Sequence, residues 1–293
     1  MKLVVGFPPG GGADAVSRIV AARLSEVWGQ QVVVENKPGA GSNLAIDAVA
    51  HAEPDGYTLL MTVRAPGISR FLFSSLTYDP DNDLAAVCRL GTYVHLFVVP
   101  NASPAKTLAE FIANAKANPG KLTYASPGVS TPSHLTAELL KRTAGFDMTH
   151  VPYRGVAAGA MNDLIAGRID AFMNTTGSLL QAARGGQVRG LAQTGGKRSP
   201  LAPEFPTMAE SGVAGFDVQS WYALFAPAKT PADIIRKMNA DTAAILAEPA
   251  IKAKLAPLGI EAAGSTPAEL AAVAKADTEL WGGIIKSANI KGE

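Results

Sequence analysis

Two stretches carry the residue types that handle anions. Residues 6–14 read GFPPGGGAD and residues 126–135 read SPGVSTPSHL. Each follows a β-rich run and precedes a helical pattern, and each is rich in glycine and small hydroxyl residues. Such a loop presents backbone N–H groups uncovered at a helix N-terminus, where the helix dipole favours negative charge without any lysine. For either loop alone, ordinary capping is an equal alternative. Asp14 then serves as an N-cap or first-turn acid, and Ser130 or Thr131 as an N-cap with Pro132 at the first helical position. The two loops together favour the binding of one small anion gripped from both sides.

Other chemistries fit less well. The dinucleotide fingerprint G-x-G-x-x-G, started at Gly10, continues with Gly12 but reaches Ala15, which only its looser form tolerates. Glu35 follows near the distance expected of a ribose-binding acid, so a nucleotide-dependent enzyme stays open as an alternative. TGGKRS at residues 194–199 resembles the tail of a phosphate loop, but Leu191 stands where the first glycine belongs. There is no G-x-S-x-G elbow, and His51, His95, His134 and His150 form no H-E-x-x-H pattern. His134 and Glu138 lie one helical turn apart, either as two metal ligands or as a pair that holds no metal. Nothing assembles a nucleophile, a base and an oxyanion site, so the expectation is no catalytic residue, no metal and no cofactor.

The rest of the chain must position those loops. It has 293 residues, 47% of them hydrophobic, with 26 basic against 25 acidic side chains and a net charge of +1. That balance argues against a nucleic-acid partner, and no apolar run approaches the ~20 residues of a membrane-spanning helix. Cys88 is the sole cysteine, so no intrachain disulfide forms. Short β-rich runs alternate with helical stretches, as in βα units around a largely parallel sheet. KLVVGF (2–7), QVVVEN (31–36) and YTLLMTV (57–63) read as strands of a first series; KLTYAS (121–126), 148–152 and 169–174 belong to a second. Residues 85–100 read as two strands or one bent strand. LFVVP and YALFAP, each ending at a proline, read as strands crossing between two lobes, which sets a cleft between them. The expected fold is thus α/β, with two βα lobes joined by two crossing strands. Residues 1–99 plus 225–293 form lobe one, and residues 100–224 form lobe two.

Beyond these patterns, the chain resembles the Bug-type periplasmic solute-binding proteins, the receptors of tripartite tricarboxylate transporters. The likeness rests on VVGFPPGGGAD, VVVENKPGAGSNLAIDAVAHAEPDGYTLL (32–60), LTYDPDNDLAAV (76–87), YASPGVSTPSHLTAELLK (124–141), VPYRG (151–155), DLIAGRIDAF (163–172) and residues 205–231, in order along the whole chain. It implies a type II periplasmic binding protein fold that closes around its ligand like a flytrap, and a monomeric protein that is not an enzyme. A small carboxylate is the implied ligand, passed on to the membrane components of such a transporter. The implied location is the periplasm, without a signal peptide in this chain. Carbon-bound acid groups would be held by Phe7, Pro8, Gly11, Gly12, Ala13 and Asp14 in lobe one. In lobe two the implied contacts are Ser126, Gly128, Val129, Ser130 and Thr131, with Tyr153, Arg154 and Asn174 facing the same cleft.

Two positions depart from the family pattern. The turn after the third strand carries Arg64 and Ala65, where a small or hydroxyl-rich turn is common. Arg64 either makes a bidentate pair with a second ligand carboxylate or swings into solvent. Asn174 stands where many relatives carry aspartate, which removes a negative charge and leaves an amide donor. Both changes favour a dicarboxylate over a monocarboxylate. Phe7, Tyr153 and Trp221 line an aromatic pocket or, alternatively, serve as core packing. A carboxylate sensor acting on a signalling partner would share the same site.

Overall fold

The computed structural model describes residues 1–153 and 159–292. The chain divides into two compact α/β units, Met1–Thr92 with Trp221–Glu293, and Tyr93–Ser220. The expected limits at 99/100 and 224/225 fall inside strands, and the division by packing runs a few residues earlier at both places.

The first unit opens with β1 (Lys2–Val5), buried after its first residue, as a strand covered on both faces requires. It ends sooner than its apolar run suggests. A side chain at Gly6 would meet the Ser42 Cβ at 2.4 Å, so the backbone leaves the sheet there to lie against a neighbouring turn. Helix α1 (Gly12–Trp28) buries Val16, Val20, Ala21 and Leu24 on one face and stops at Gly29, whose φ of 60° suits glycine. Then come β2 (Val33–Asn36), α2 (Asn43–Ala50), β3 (Thr58–Thr62), the short α3 (Ser69–Leu72) and β4 (Leu84–Tyr93). β1 pairs in parallel with both β2 and β3, with Val5 opposite Asn36 and Met61. The turns that follow these three strands therefore leave the same edge of the sheet, where α/β folds place ligands.

The second unit runs β5 (His95–Pro100), α4 (Leu108–Ala117), β6 (Thr123–Ser126), α5 (Pro132–Ala144), β7 (Thr149–Pro152), α6 (Ala160–Ile165), β8 (Ala171–Thr175), α7 (Thr176–Arg184) and β9 (Val188–Gln193). Residues 85–100 are thus two strands, separated at Val94. The sheet order is β7-β6-β8-β5-β9. β6 is parallel to β7 and β8, with Tyr124 opposite both His150 and Ala171, while β5 runs antiparallel to β8 and β9. Leu96, Val98, Ala125, Leu164, Phe172 and Leu179 form its core. The ends of β6, β7 and β8 bring Ser126, Tyr153 and Asn174 to one edge.

The chain then returns to the first unit with β10 (Ser220–Pro227), every residue of which is buried. It lies between β4 and β3 and runs antiparallel to β3. Helices α8 (Ala232–Ala247) and α9 (Pro249–Leu255), the two-residue strand β11 (Glu261–Ala262) and α10 (Pro267–Ser287) complete it, giving the order β11-β4-β10-β3-β1-β2. No helix among the described residues is long and apolar enough to cross a membrane.

Candidate functional site

In the first unit the site is built on the turn between β1 and α1. Gly11 occupies the N-cap and no side chain caps the helix, so its first-turn N–H groups carry no side-chain acceptor. Phe7 and Gly11 are half-buried, Pro8 and Gly12 are exposed, and Ala13 is buried. Asp14, the third helical residue, does not cap. One carboxylate oxygen accepts from the Gly10 amide at 3.0 Å and from Arg18 Nε at 2.9 Å. The other accepts from Asn36 Nδ2 at 3.0 Å, and that amide also donates to the Phe7 carbonyl at 3.0 Å. Burial opposes ionisation of Asp14, but Arg18, the Gly10 amide and Asn36 together hold its carboxyl below the usual value. Asp14 is therefore an ionised brace whose bonds close on its own loop and on the end of β2. The loop also rests on the turn after β2, where Ser42 Oγ donates to the Gly6 carbonyl at 3.2 Å.

Arg64 follows β3 and is 4% exposed, which sets aside the alternative that it swings into solvent. Its Nε and Nη2 both donate to the Gly41 carbonyl, at 3.1 and 2.9 Å, and Nη2 also reaches Ser69 Oγ at 3.1 Å. That carbonyl belongs to a turn in which Ala40, Gly41 and Ser42 all have positive φ. Nη1 is buried without a hydrogen-bond partner, and among the described residues no carboxylate pairs with this guanidinium. Burial lowers its pKa to about 10, so it stays cationic at neutral pH. Ala65 beside it is fully buried.

The second unit presents a loop between β6 and α5. Ser126 Oγ accepts from the Gly128 amide at 3.2 Å and bonds His150 Nε2 at 2.7 Å. Thr131 caps α5, accepting from the His134 amide at 3.4 Å, and its hydroxyl donates to the Gly128 carbonyl at 2.8 Å. Gly128 has φ 148° and Ser130 φ 59°; the Ser130 amide donates to His134 Nδ1 at 3.1 Å. Val129 is half-buried. Tyr153 donates its amide to the Ser126 carbonyl at 3.0 Å and its hydroxyl to Asp163 at 2.7 Å. Burial, followed by the hydrogen bond to Asp163 and then its charge, pushes the phenol up to about 12. Asn174 is buried; its Oδ1 accepts from the Thr175 amide at 2.8 Å and from Ser133 Oγ at 3.4 Å, and its Nδ2 has no partner. Arg154 lies outside the described residues.

The two units thus each gather most of their expected residues around one loop. The residues that sequence reading missed are those that brace them: Arg18, Asn36 and Ser42 in one unit, His134 and His150 in the other. Asp14 and Arg18 are four apart, a spacing that signals an ion pair on a helix, whereas Asn36 and His150 become neighbours only through strand order. The metal alternative fails on the donors themselves. His134 Nδ1 is occupied by an amide, while Glu138 accepts from Tyr124 Oη at 2.6 Å and Lys141 Nζ at 3.0 Å. Trp221 is core, its indole donating to Asp277 at 2.7 Å. Glu35, the ribose candidate, pairs with Lys2 and Lys37 at the sheet edge.

Comparison with known proteins places this chain. The model of the tripartite tricarboxylate transporter family receptor matches residues 16–290. A UPF0065 protein of Pseudomonas sp. (strain P51) is 39% identical over 95% of this chain and 83% of its own length. Protein BugT of Bordetella pertussis is 32% identical over 99% of this chain and 90% of its own. Among solved structures, Rpa4515 of R. palustris with adipate superposes with a TM-score of 0.90 at 33% identity, covering 99% of this chain and 97% of that one. MatC from Rhodopseudomonas palustris with bound malate gives 0.85 at 32% identity, covering 97% and 98%. The periplasmic binding protein BugD gives 0.87 at 31%, covering 99% and 98%. The chain belongs to the tripartite tricarboxylate transporter receptor family, whose members are periplasmic solute-binding receptors rather than enzymes.

Proposed function

We propose that this receptor acts in the periplasm, captures a dicarboxylate through the loops at residues 7–14 and 126–131, and delivers it to the membrane components of a tripartite tricarboxylate-type transporter. The observation that carries the choice of a dianion is Arg64, a buried cation that no carboxylate of the described chain neutralises. A buried charge without a counterion is costly, and an anionic ligand offsets that cost. Adipate and malate, named with two of the related structures, support the same class.

The loops act as donors. The uncapped first turn of α1 supplies backbone N–H groups and the positive end of a helix dipole. In the second unit the unpartnered Asn174 Nδ2 offers a further donor. Capture needs no proton transfer, so Asp14 and Tyr153, both engaged with neighbouring side chains, serve to hold shape.

A calorimetric and thermal-shift panel tests this reading, using acetate and benzoate as monocarboxylates, malate, succinate and adipate as dicarboxylates, citrate as a tricarboxylate, and ATP and NAD. A dicarboxylate is expected to bind most tightly and to raise the melting temperature. Stabilisation by a nucleotide and by no carboxylate would overturn it.

A further inference from the structure

We propose that His134 and His150 form a neutral, stacked imidazole pair that positions the loop at residues 126–131 for its ligand, with His134 Nδ1 as the acceptor that holds Ser130 in its left-handed conformation. The role in capture rests on the function proposed above; the role in loop geometry does not.

The geometry is specific. The two rings lie 3.9 Å apart between centroids and 11° from parallel, and the Tyr124 ring lies 4.8 Å from His150 and 6.4 Å from His134. His134 reaches back from the third residue of α5 to the Ser130 amide, and His150 reaches across from β7 to Ser126 Oγ. The pair therefore touches the loop at its first residue and at the residue just before the helix cap. Ser130 needs that grip, because φ 59° is unfavourable for a residue with a Cβ.

A backbone N–H can only donate, so Nδ1 of His134 must carry no proton, and the neutral ring holds its proton on Nε2. Protonating Nδ1 removes the acceptor and leaves the Ser130 amide facing a donor. The groups around the stack do not favour a cation. On α5, Lys141 Nζ lies 5.9 Å from the Tyr124 ring centre and pairs with Glu138 and Asp147. Glu138 is turned to the Tyr124 hydroxyl, so no carboxylate touches either imidazole among the described residues. Burial lowers His134 to about 4, assisted by Lys141, and His150 to about 3, assisted by its partner ring and Lys141 against the opposing charge of Glu138.

The first unit contains the same device. Gly10, φ 85°, precedes the N-cap of α1, and its amide is taken by Asp14, again the third helical residue. Loop residue and acceptor are four apart in both cases. His134 thus holds in the second unit the place that Asp14 holds in the first, without bringing a negative charge beside an anion.

Two experiments on the full chain test the proposal. The first needs no ligand: nitrogen-15 NMR of the histidines, with the Ser130 amide followed as pH falls from 7 to 3.5. The expected result is two neutral rings at pH 7, His134 protonated on Nε2 alone, and a Ser130 amide shift that moves with the His134 titration. A charged ring at pH 7, a proton on Nδ1, or an unmoved Ser130 amide overturns it. The second compares His134→Asn, which keeps an acceptor, with His134→Leu, which does not, in binding adipate and malate at pH 7. His134→Leu is expected to bind about tenfold more weakly than wild type, the effect of one lost hydrogen bond, with His134→Asn recovering most of it. Equal losses in both variants would mean that the acceptor does not act, which overturns the proposal. Should the wild-type chain bind no carboxylate at all, the function proposed above fails, and the NMR result still decides the loop geometry.

Discussion

In the first unit the amide of Gly10 is held by a carboxylate; in the second the amide of Ser130 is held by an imidazole. Both loops leave a parallel strand, pass through a residue of positive φ and enter a helix whose third residue turns back as acceptor. The acceptors demand different surroundings. Asp14 works as an anion and needs Arg18 and Asn36 to keep it ionised in a buried place. His134 works as a neutral ring and needs an apolar stack to keep protons away. The helices differ too: α5 is capped by Thr131, whereas α1 has no side-chain cap and its first-turn donors carry no side-chain acceptor. In the function proposed above, the first loop is thereby the stronger anion donor, and the second supplies shape and neutral hydrogen bonds.

Four sets of changes probe this contrast. The largest effect is expected from Asp14→Ala, which strands the Gly10 amide, Asn36 and Arg18. Gly10 and Arg18 are exposed and Asn36 is half-buried, so water meets part of what is lost; a loss of about 2 kcal/mol in chemical denaturation is expected, the scale of hydrogen bonds to a charged group, together with weaker carboxylate binding. Unchanged binding would mean that the first loop needs no brace.

Next comes Arg64. Arg64→Lys keeps the charge and Arg64→Met removes it, while both lose the fork on the Gly41 carbonyl. Arg64→Met is expected to lower the ratio of succinate to acetate affinity about tenfold, the scale of a lost charge-assisted hydrogen bond, with Arg64→Lys retaining most of it. The same ratio in both variants would remove Arg64 as a source of dianion preference.

Acidification should produce a smaller and graded change. Burial lowers His95 to about 3, His134 to about 4 and His150 to about 3. The unfolded chain then binds more protons than the folded one below its own value near 6.5, so stability is fully present above that pH and is lost as pH falls towards 4. Asp277 works in the opposite sense: burial raises it to about 6, so protonation between about 6 and 4 favours the folded form. Three histidines against one aspartate give a net fall in melting temperature from pH 6.5 to 4, with a shallower slope in His134→Leu. A slope that does not change in that variant would remove His134 from the acid response.

The smallest effect concerns the left-handed residues themselves. Ser130→Gly is expected to stabilise, and Gly10→Ala to destabilise, each by about 0.5–1 kcal/mol. Effects of the same sign in both would contradict the equivalence of the two positions.

Much of the fold was legible in the sequence because parallel strands buried on both faces read as short apolar runs bounded by turns, as KLVV and TLLM do. The glycine- and hydroxyl-rich strand-to-helix turns were legible for a related reason: main-chain donors need glycine and small residues to stay uncovered. The bracing was not legible. Asn36 meets Asp14 only because β2 lies beside β1, and His150 meets Ser126 only because β7 lies beside β6. Arg64 was left between two orientations, since arginine is almost never fully buried without a partner; its burial depends on the Gly41 carbonyl, offered by a left-handed turn that periodicity does not reveal.

Titration calorimetry of the wild-type chain at pH 7 tests whether the uncapped first turn of α1 and the buried Arg64, with which no carboxylate of the described residues pairs, select a dicarboxylate. Malate, succinate or adipate is expected to bind at a single site with an affinity at least about tenfold above acetate, the scale of a second carboxylate contact. Equal affinity for acetate and all three dicarboxylates, or heat from ATP or NAD alone, would contradict it.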